Sequence, residues 1–341
     1  MALPAIRTLK KYVPELRIFI AAKSYLLDVY KHIPEISGVL PISGDRGSLF
    51  RTAAQLRTRR FAWGLLFTNS FHSALLFKLA RIPRLLGYKK DLRGFMLSRK
   101  LRFPKNDRHH IYFYLDLAAA LIKEITDKEP DEQGKNNHLA VTSGEREEIT
   151  GLLADQGIES HGTWIGISPS AAYGTAKQWL PERFRELIER FINESAKQGK
   201  EKKILLFGSA GEREKIENMI GPLDSQTRRH VFNLAGELSL RQSIAAISLC
   251  SAFVSNDSGL MHVASALDIP LAAVFGPTEP HKTGPLSTDV RVFHYPQECA
   301  PCRHRECPLE PPLTHRCMKA VTVDEVYEQV MAFLEKRAVQ N

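Results

Sequence analysis

Apolar residues along this 341-residue chain form short uninterrupted runs that alternate with longer segments of helical periodicity. Short apolar runs are typical of buried strands, and apolar positions three and four residues apart are typical of helices. The pattern predicts strands over residues 16–20, 39–42, 61–68, 164–168, 203–207, 252–255 and 270–275. It predicts the principal helices over residues 2–11, 24–32, 49–59, 71–80, 110–125, 181–195, 240–249, 260–267 and 323–338. This alternation predicts an α/β fold with mostly parallel sheets, whose ligands bind at the carboxyl ends of the strands.

The alternation stops between residues 127 and 144, where turn residues such as Pro130, Asp131, Gln133 and Gly134 accumulate. Such a stretch predicts a linker, and the chain is long enough for two domains that each have a core. We expect a first Rossmann-like domain over residues 1–127, a linker region over 128–160, a second Rossmann-like domain over 161–322 and a C-terminal helix over 323–341. The first domain opens with the helix 2–11, where a doubly wound domain normally has a strand and a glycine-rich turn.

Charge is unevenly distributed between the two halves. The net charge is +9, but residues 1–127 carry 23 Lys and Arg against 9 Asp and Glu, a balance of +14 that leaves −5 for the remainder. The cations concentrate between Arg81 and Arg108, which predicts a surface that attracts an anionic membrane leaflet or a nucleic acid, or else a solvated basic face without a partner. No apolar run reaches the length of a membrane span and no signal-peptide core opens the chain, so we expect a cytoplasmic protein.

Four of the five cysteines share one segment. Their spacing is Cys299-x2-Cys302-x4-Cys307-x9-Cys317. In a cytoplasmic protein such a cluster is typical of a tetrahedral zinc site rather than of disulfides. The irregular spacing leaves two alternatives open: a structural zinc ion that staples the loop, with no catalytic role, or reduced thiols packed in the loop.

A small polar loop joins the predicted strand 252–255 to the predicted helix 260–267. Asn256, Asp257 and Ser258 are residue types that cap helices, and Gly259 permits a tight turn that a ligand can approach closely. A helix that begins at the end of a strand directs its unpaired N–H groups and positive dipole end above the sheet, where a diphosphate is favoured. A second rigid loop follows the strand 270–275, so two neighbouring strand ends form a candidate anion site. The alternative is that these residues only cap the helix and that His262 is structural.

These residues resemble a known family. The run S-N-D-S-G-L-M-H-V-A-S-A-L from residue 255, followed by P-L-A-A-V-F-G-P-T-E-P from residue 270, is similar to the donor-site signature of glycosyltransferase family 9, the ADP-heptose:lipopolysaccharide heptosyltransferases. The segments 168–181 and 69–75 extend the resemblance over nearly the whole chain and are most similar to the heptosyltransferase II branch. The resemblance implies the GT-B architecture, in which two Rossmann-like domains face each other across a cleft.

The resemblance also implies an inverting transfer of L-glycero-D-manno-heptose from ADP-heptose to the inner core of lipopolysaccharide. A departing ADP must be stabilised by cations and N–H donors if no metal takes part, and the acceptor hydroxyl must lose a proton to a base. The resemblance places the donor against the second domain, at Ser170, Lys177, Glu212, Asp257, Ser258, Gly259, His262 and Thr278. It places the acceptor against the first domain, at Asn69, Ser70, Lys89 and Arg93. For Glu212, a simple complement to a helix dipole remains an equal alternative.

No catalytic residue is assigned. In the family the general base is an aspartate in the turn after the first strand, just before a segment that resembles Met1 to Pro4. We therefore expect the base to lie upstream of Met1 and the chain as printed to transfer little or no heptose. Full turnover by the chain as printed would contradict this expectation.

Two other functions remain open at this point. One is a GT-B enzyme for another nucleotide sugar or acceptor, and the other is a catalytically impaired module that binds nucleotides or nucleic acids. The cations are not interleaved with aromatic residues in a nucleic-acid motif, so we expect no nucleic-acid partner. We expect instead a peripheral contact between the basic domain and the inner face of the cytoplasmic membrane.

Overall fold

A computed structural model describes residues 1–42, 46–105, 107–130, 134–197, 199 and 201–340. The chain forms two compact units, Met1–Asn137 and His138–Asn341. The division falls within the stretch for which the linker is predicted; Asp131 and Gln133 of that stretch lie outside the described residues. Among the described residues, no helix combines the length and the low polarity that crossing a bilayer requires.

The first unit contains four α-helices and five strands among its described residues. The helices are α1 (Leu3–Tyr12), α2 (Leu49–Thr58), α3 (Phe71–Leu79) and α4 (Ile111–Thr126). The strands are β1 (Phe19–Ala22), β2 (Gly38–Pro41), β3 (Trp63–Leu66), β4 (Arg84–Tyr88) and β5 (Arg99–Leu101). Strand β1 pairs parallel to β2, and β3, β4 and β5 form a second parallel sheet in that order. Helix α1 buries Leu3, Ile6 and Leu9 and packs against α4.

The sequence prediction needs three corrections in this unit. The segment predicted as a helix over 24–32 is a 3₁₀ helix, Ser24–Tyr30, that buries none of its residues. The strand predicted over 16–20 begins at Phe19. Strands β4 and β5 are not predicted from the sequence: β4 begins with the exposed Arg84, and β5, at the sheet edge, has two cations among its three residues.

The second unit has a six-stranded sheet covered by helices. Its strands are β6 (Thr163–Ser168), β7 (Lys202–Leu206), β8 (Val231–Asn233), β9 (Ala252–Asn256), β10 (Leu271–Val274) and β11 (Val290–Phe293). Its longer helices are α5 (Ser143–Asp155), α6 (Pro181–Lys197), α7 (Arg213–Ile220), α9 (Leu240–Ile247), α10 (Gly259–Ala266) and α13 (Val323–Gln340). Its single-turn helices are α8 (Ser225–Arg228), α11 (Pro280–Thr283) and α12 (Arg316–Lys319). Every residue of β7, β9 and β10 is buried, as expected for central parallel strands covered on both faces.

The strand order of this sheet is β11-β10-β9-β6-β7-β8, all parallel. The chain therefore builds outward from β6 to one edge and then returns to β9 to build outward to the other edge. This is the doubly wound order of a Rossmann fold, in which ligands bind outside the carboxyl ends of the strands where the order reverses. Here that position lies between β6 and β9. The two strands approach closely because Gly166 has no side chain: a Cβ there would lie 2.4 Å from the ring of Phe253.

Helix α5 is tied to α9 by a buried ion pair. The guanidinium of Arg241 donates to both carboxylate oxygens of Glu145, at 2.6 and 2.7 Å, and to the carbonyl oxygen of Ala140 at 2.8 Å. The hydrogen bonds from Arg241 hold the pKa of Glu145 at about 2, despite partial burial that acts in the opposite direction. This pairing fixes residues 143–155 to the second unit.

We expect Glu145→Gln to lower the free energy of unfolding by about 3 kcal/mol at neutral pH, because it leaves the Arg241 charge without its counter-ion. The folded-state pKa of Glu145 is depressed, so its contribution is present above the unfolded-state pKa and is lost as the pH falls from about 4.5 towards about 2. Urea unfolding of both proteins across this range should show the deficit shrinking with falling pH. Glu194→Gln, which breaks an exposed pair with Lys197, should change little; a deficit that persists at low pH would contradict the account.

Candidate functional site

The loop after β6 is fastened to the end of β9 by the side chain of Asn256. This side chain is fully buried. Its Oδ1 accepts from the backbone N–H of Trp179 at 2.9 Å, and its Nδ2 donates to the carbonyl oxygen of Pro169 at 2.7 Å. One amide thus holds both ends of the loop 169–179 over the point where the strand order reverses.

Asp257 joins the two loops of the candidate site. Its Oδ2 accepts from Lys177 Nζ at 2.5 Å and from Thr278 Oγ1 at 2.8 Å. The side chains of Lys177 and Asp257 are 15% and 7% exposed, so the charges interact in a largely desolvated setting. Residues that follow β6, β9 and β10 therefore meet at one polar cluster, which we call the Lys177–Asp257–Thr278 cluster.

The first turn of α10 lies beside this cluster and is accessible to solvent. Ser258 occupies the N-cap position, but its side chain makes no capping hydrogen bond; its Oγ lies 3.1 Å from Ser255 Oγ. Gly259 is exposed, and a Cβ there would meet no atom within 4 Å. His262 follows in the same helix and is half-buried. Ser258 therefore does not cap the helix through its side chain, and the exposed Gly259 leaves the first turn accessible.

A segment of the cysteine-rich region supports the Lys177 loop. The N–H of Ala176 donates to the carbonyl oxygen of Arg305 at 3.0 Å, and Tyr173 Oη donates to the carbonyl oxygen of Arg303 at 2.8 Å. At Gly174 a Cβ would lie 2.2 Å from the Arg305 oxygen, so only glycine permits this approach. Lys177 Nζ also lies 5.1 Å from the centre of the Tyr173 ring, a cation–π distance.

The same segment reaches the Thr278 loop. The N–H of Arg303 donates to the carbonyl oxygen of Pro277 at 3.1 Å, and its guanidinium pairs with Glu279. The segment 303–305 therefore bridges the two loops that carry Lys177 and Thr278. No local sequence pattern predicts this bridge, because its contacts with the Lys177 loop join residues more than a hundred positions apart.

Of two further predicted donor residues, one is buried and the other caps a turn. Ser170 is buried in the loop after β6, within the segment that Asn256 fastens. Glu212 Oε2 accepts from the N–H of Ser209 at 2.7 Å and from its Oγ at 2.8 Å, forming a capping box at the start of the 3₁₀ turn Ala210–Glu212. The alternative in which Glu212 acts at a helix start therefore corresponds to this capping box, and the Ser-x-x-Glu spacing could have indicated it.

The predicted acceptor residues lie at the carboxyl ends of β3 and β4 in the first unit. Ser70 caps α3 by accepting from the N–H of Ser73, and Lys89 is exposed. Arg93 is fully buried: it donates to the carbonyl oxygens of Tyr88 and Thr68 and, at 3.1 Å, to Asn69 Oδ1. The structure thus revises the expected role of Arg93, because its guanidinium orients Asn69 and the chain around it and is not presented to a phosphate.

The four clustered cysteines line one cavity of about 180 Å³ beneath the Lys177 loop, together with His304 and His315. Cys307 accepts from the N–H of His315 at 3.2 Å. Burial acts to raise the pKa of Cys307, but backbone hydrogen bonds from His315 and Leu309 outweigh it and lower that pKa. Within the described residues, no three ligand atoms of this segment lie within 4.8 Å of one another, so the thiols share a cavity without forming an assembled metal cage.

The comparison with known proteins decides the family. Residues 49–312 match glycosyltransferase family 9 (heptosyltransferase). The chain belongs to this family. Lipopolysaccharide heptosyltransferase 2 of Salmonella typhimurium is 33% identical over 294 residues, which cover 84% of this chain and 82% of that protein.

Solved structures of heptosyltransferases agree with this assignment. E. coli ADP-heptose lps heptosyltransferase II matches with a TM-score of 0.84 and 28% identity, over 99% of this chain and 95% of that one. E. coli heptosyltransferase WaaC with ADP matches with a TM-score of 0.68 and 18% identity, over 97% and 95% of the two chains, a likeness of fold. The predicted family, the GT-B class with its Rossmann-like domains, and the assignment as a glycosyltransferase are confirmed. The expectation that the chain as printed transfers little or no heptose stays a prediction. In this family-9 enzyme the Lys177–Asp257–Thr278 cluster lies where a doubly wound sheet binds its ligand.

Proposed function

We propose that this family-9 glycosyltransferase transfers L-glycero-D-manno-heptose from ADP-heptose to the inner core of lipopolysaccharide, with inversion at the anomeric carbon. The observation that carries the proposal is the Lys177–Asp257–Thr278 cluster beside the open first turn of α10. Relatives that are named lipopolysaccharide heptosyltransferase 2 support the choice of donor and acceptor. The second unit would bind the nucleotide sugar and the first unit the acceptor.

The reaction forms a bond between an acceptor hydroxyl oxygen and the anomeric carbon of heptose. The bond from that carbon to the β-phosphate oxygen breaks, ADP leaves with the electron pair, and a general base takes the hydroxyl proton. Negative charge therefore develops on the diphosphate. Groups that already hold positive charge at this position lower the barrier without reorganising.

Lys177 and the N–H groups of Ser258 and Gly259 are suited to receive this charge. Lys177 donates to Asp257, the residue that immediately precedes the N-cap of α10, so its ammonium lies near the start of that helix. On binding, the diphosphate would become a second partner of Lys177, and Asp257 would accept from heptose hydroxyls. Because these protein groups supply the positive charge, we infer that the transfer needs no divalent cation.

The donor specificity can be tested by binding. ADP-heptose should raise the unfolding temperature of the chain more than UDP-sugars or GDP-sugars do, because a ligand bound only by the folded state stabilises it. Equal stabilisation by all three donor classes, or none by ADP-heptose, would overturn the proposal. Incubation with ADP-heptose and a heptosyl inner-core acceptor, with and without EDTA, then tests transfer, its stereochemistry and the need for a cation.

A structural zinc ion at Cys299, Cys302, Cys307 and Cys317 forms a second, separate part of the proposal. The four thiols line one cavity, and burial raises the pKa of Cys317. A tetrahedral zinc ion, with Zn–S bonds of about 2.3 Å, would require the thiols to draw closer. The ion would brace the loop that contacts Tyr173 and Ala176.

We expect purified protein to contain about one zinc ion per chain by elemental analysis. Cys302→Ser should remove the metal and lower the unfolding temperature. Cys250→Ser is the control for metal content alone: this fifth cysteine lies outside the segment, and burial raises the pKa of its thiol to about 12. If the purified protein contains no metal and Cys302→Ser unfolds at the same temperature as the unsubstituted chain, the four cysteines are reduced thiols packed in the loop.

The basic first unit supports a peripheral location at the cytoplasmic face of the inner membrane. Its positive balance would favour approach to an anionic leaflet, where a lipid-linked acceptor is embedded. Nucleic acid is not part of the proposal.

A further inference from the structure

A short surface loop of the first unit exposes large apolar side chains. Leu92 is 90% exposed and Phe95 is 75% exposed, and both follow β4 within the segment 89–95. The ring of Phe71, itself 42% exposed, lies with its centre 6.2 Å from that of Phe95. Exposed apolar surface of this kind is unfavourable in water and typically marks a contact surface.

The backbone of this loop holds Leu92 outward. Asp91 and Leu92 have φ angles of 49° and 57°, in the left-handed region that bulky residues rarely adopt. The neighbouring Arg93 offsets the cost of this backbone conformation, because its buried guanidinium donates to the carbonyl oxygens of Tyr88 and Thr68. The loop is thus fastened from below while its apolar residues point into solvent.

Cations surround these apolar residues. Between residues 89 and 105 the sequence has seven Lys and Arg and one acidic residue, Asp91. Arg93 is buried and Arg99 pairs with Glu124, but Lys89, Lys90, Lys100 and Arg102 are exposed. The N–H of Lys89 donates to the carbonyl oxygen of Leu101 at 2.8 Å, which places Lys89 and Arg102 at the same edge of the sheet.

We propose that this loop docks onto an anionic lipid bilayer, with Leu92 and Phe95 inserted among the acyl chains and the lysines and Arg102 at the headgroups. Apolar side chains at the tip and cations around them are the combination that binds the interface of an acidic membrane. The aliphatic Leu92, the most exposed of these residues, offers no stacking surface to a nucleic-acid base. This inference rests on the proposed function, because the contact would bring the enzyme to a lipid-linked acceptor.

The test is co-sedimentation with phosphatidylcholine vesicles that do or do not contain phosphatidylglycerol. The chain should bind the anionic vesicles, and Leu92→Asn combined with Phe95→Ser should weaken this binding by about tenfold or more. Asparagine is chosen because it tolerates the left-handed backbone, so the fold and the unfolding temperature should be unchanged. Leu313→Ser, which removes an apolar residue of 51% exposure from the second unit, should bind vesicles as the unsubstituted chain does.

Lys89→Gln combined with Lys90→Gln should also weaken binding and make it less sensitive to salt. Unchanged vesicle binding by the Leu92 and Phe95 variant, no preference for anionic vesicles, or tighter binding to duplex DNA than to vesicles would overturn the proposal. ADP-heptose binding, measured on the same proteins, separates the two conclusions. If the unsubstituted chain fails to bind ADP-heptose, the proposed function fails, and the vesicle results still decide whether this surface binds lipid.

Discussion

Lys177→Ala is expected to weaken ADP-heptose binding about a hundredfold, because it removes a preplaced cation from a largely desolvated site. It also leaves the carboxylate of Asp257 without its ammonium partner at 2.5 Å, so the remaining negative charge would repel the diphosphate. Isothermal titration with ADP-heptose measures the loss. Lys336→Ala is the matched control, since Lys336 pairs with Asp289 at the same 2.5 Å distance, next to the amino end of β11 and away from the carboxyl edge.

A double variant separates the two roles that Lys177 can have. If Lys177 acts only by neutralising Asp257, then Lys177→Ala combined with Asp257→Asn should restore binding of ADP, which lacks the heptose hydroxyls that Asp257 would contact. If Lys177 contacts the diphosphate, the double variant should still bind ADP weakly, with at most a small coupling energy between the two substitutions. Recovery of full affinity by the double variant would contradict a direct contact between Lys177 and the donor.

Asn256→Ala should destabilise the second unit by about 2–4 kcal/mol, because it strands the buried N–H of Trp179 and the carbonyl oxygen of Pro169. For a unit of this size, that loss corresponds to a fall in unfolding temperature of about 5–12 °C. Donor affinity should fall as well, since the loop 169–179 positions Lys177. Differential scanning fluorimetry and titration with ADP-heptose on the same samples measure both effects.

Asn233→Ala provides the comparison. Asn233 also ends a strand, β8, and its Nδ2 donates to Glu217 while its Oδ1 accepts from the N–H of Ala235. It lies at the sheet edge, where water can replace these partners, so a smaller loss of stability and normal donor affinity are expected. If Asn256→Ala bound ADP-heptose normally after correction for its unfolded fraction, the amide would be only structural.

The sequence was sufficient for the central strands and for the location of the site. β9 and β10 are short apolar runs followed by polar loops, and both features are local, so their positions were predicted to within a residue or two. Asp257, Lys177 and Thr278 were each identified as candidate residues. Their mutual hydrogen bonds were not, because Lys177 and Asp257 are 80 positions apart and only the strand order brings β6 and β9 together.

The sequence prediction fails for polar residues that are usually exposed but are buried in this fold. Asn256 is of a residue type that often caps helices, but it is fully buried and holds a loop in place instead. Arg93 lies in a basic stretch that suggests a surface for anions, yet its guanidinium is used internally. In each case the side chain found backbone partners on another element, and no local pattern reports such partners.

The location of the diphosphate is the central claim, and a crystal structure of the chain with ADP tests it most directly. The account predicts a β-phosphate oxygen within hydrogen-bonding distance of Lys177 Nζ and of the backbone N–H of Gly259, beside β6 and β9. A diphosphate bound elsewhere, with Lys177 still paired only to Asp257, would contradict it.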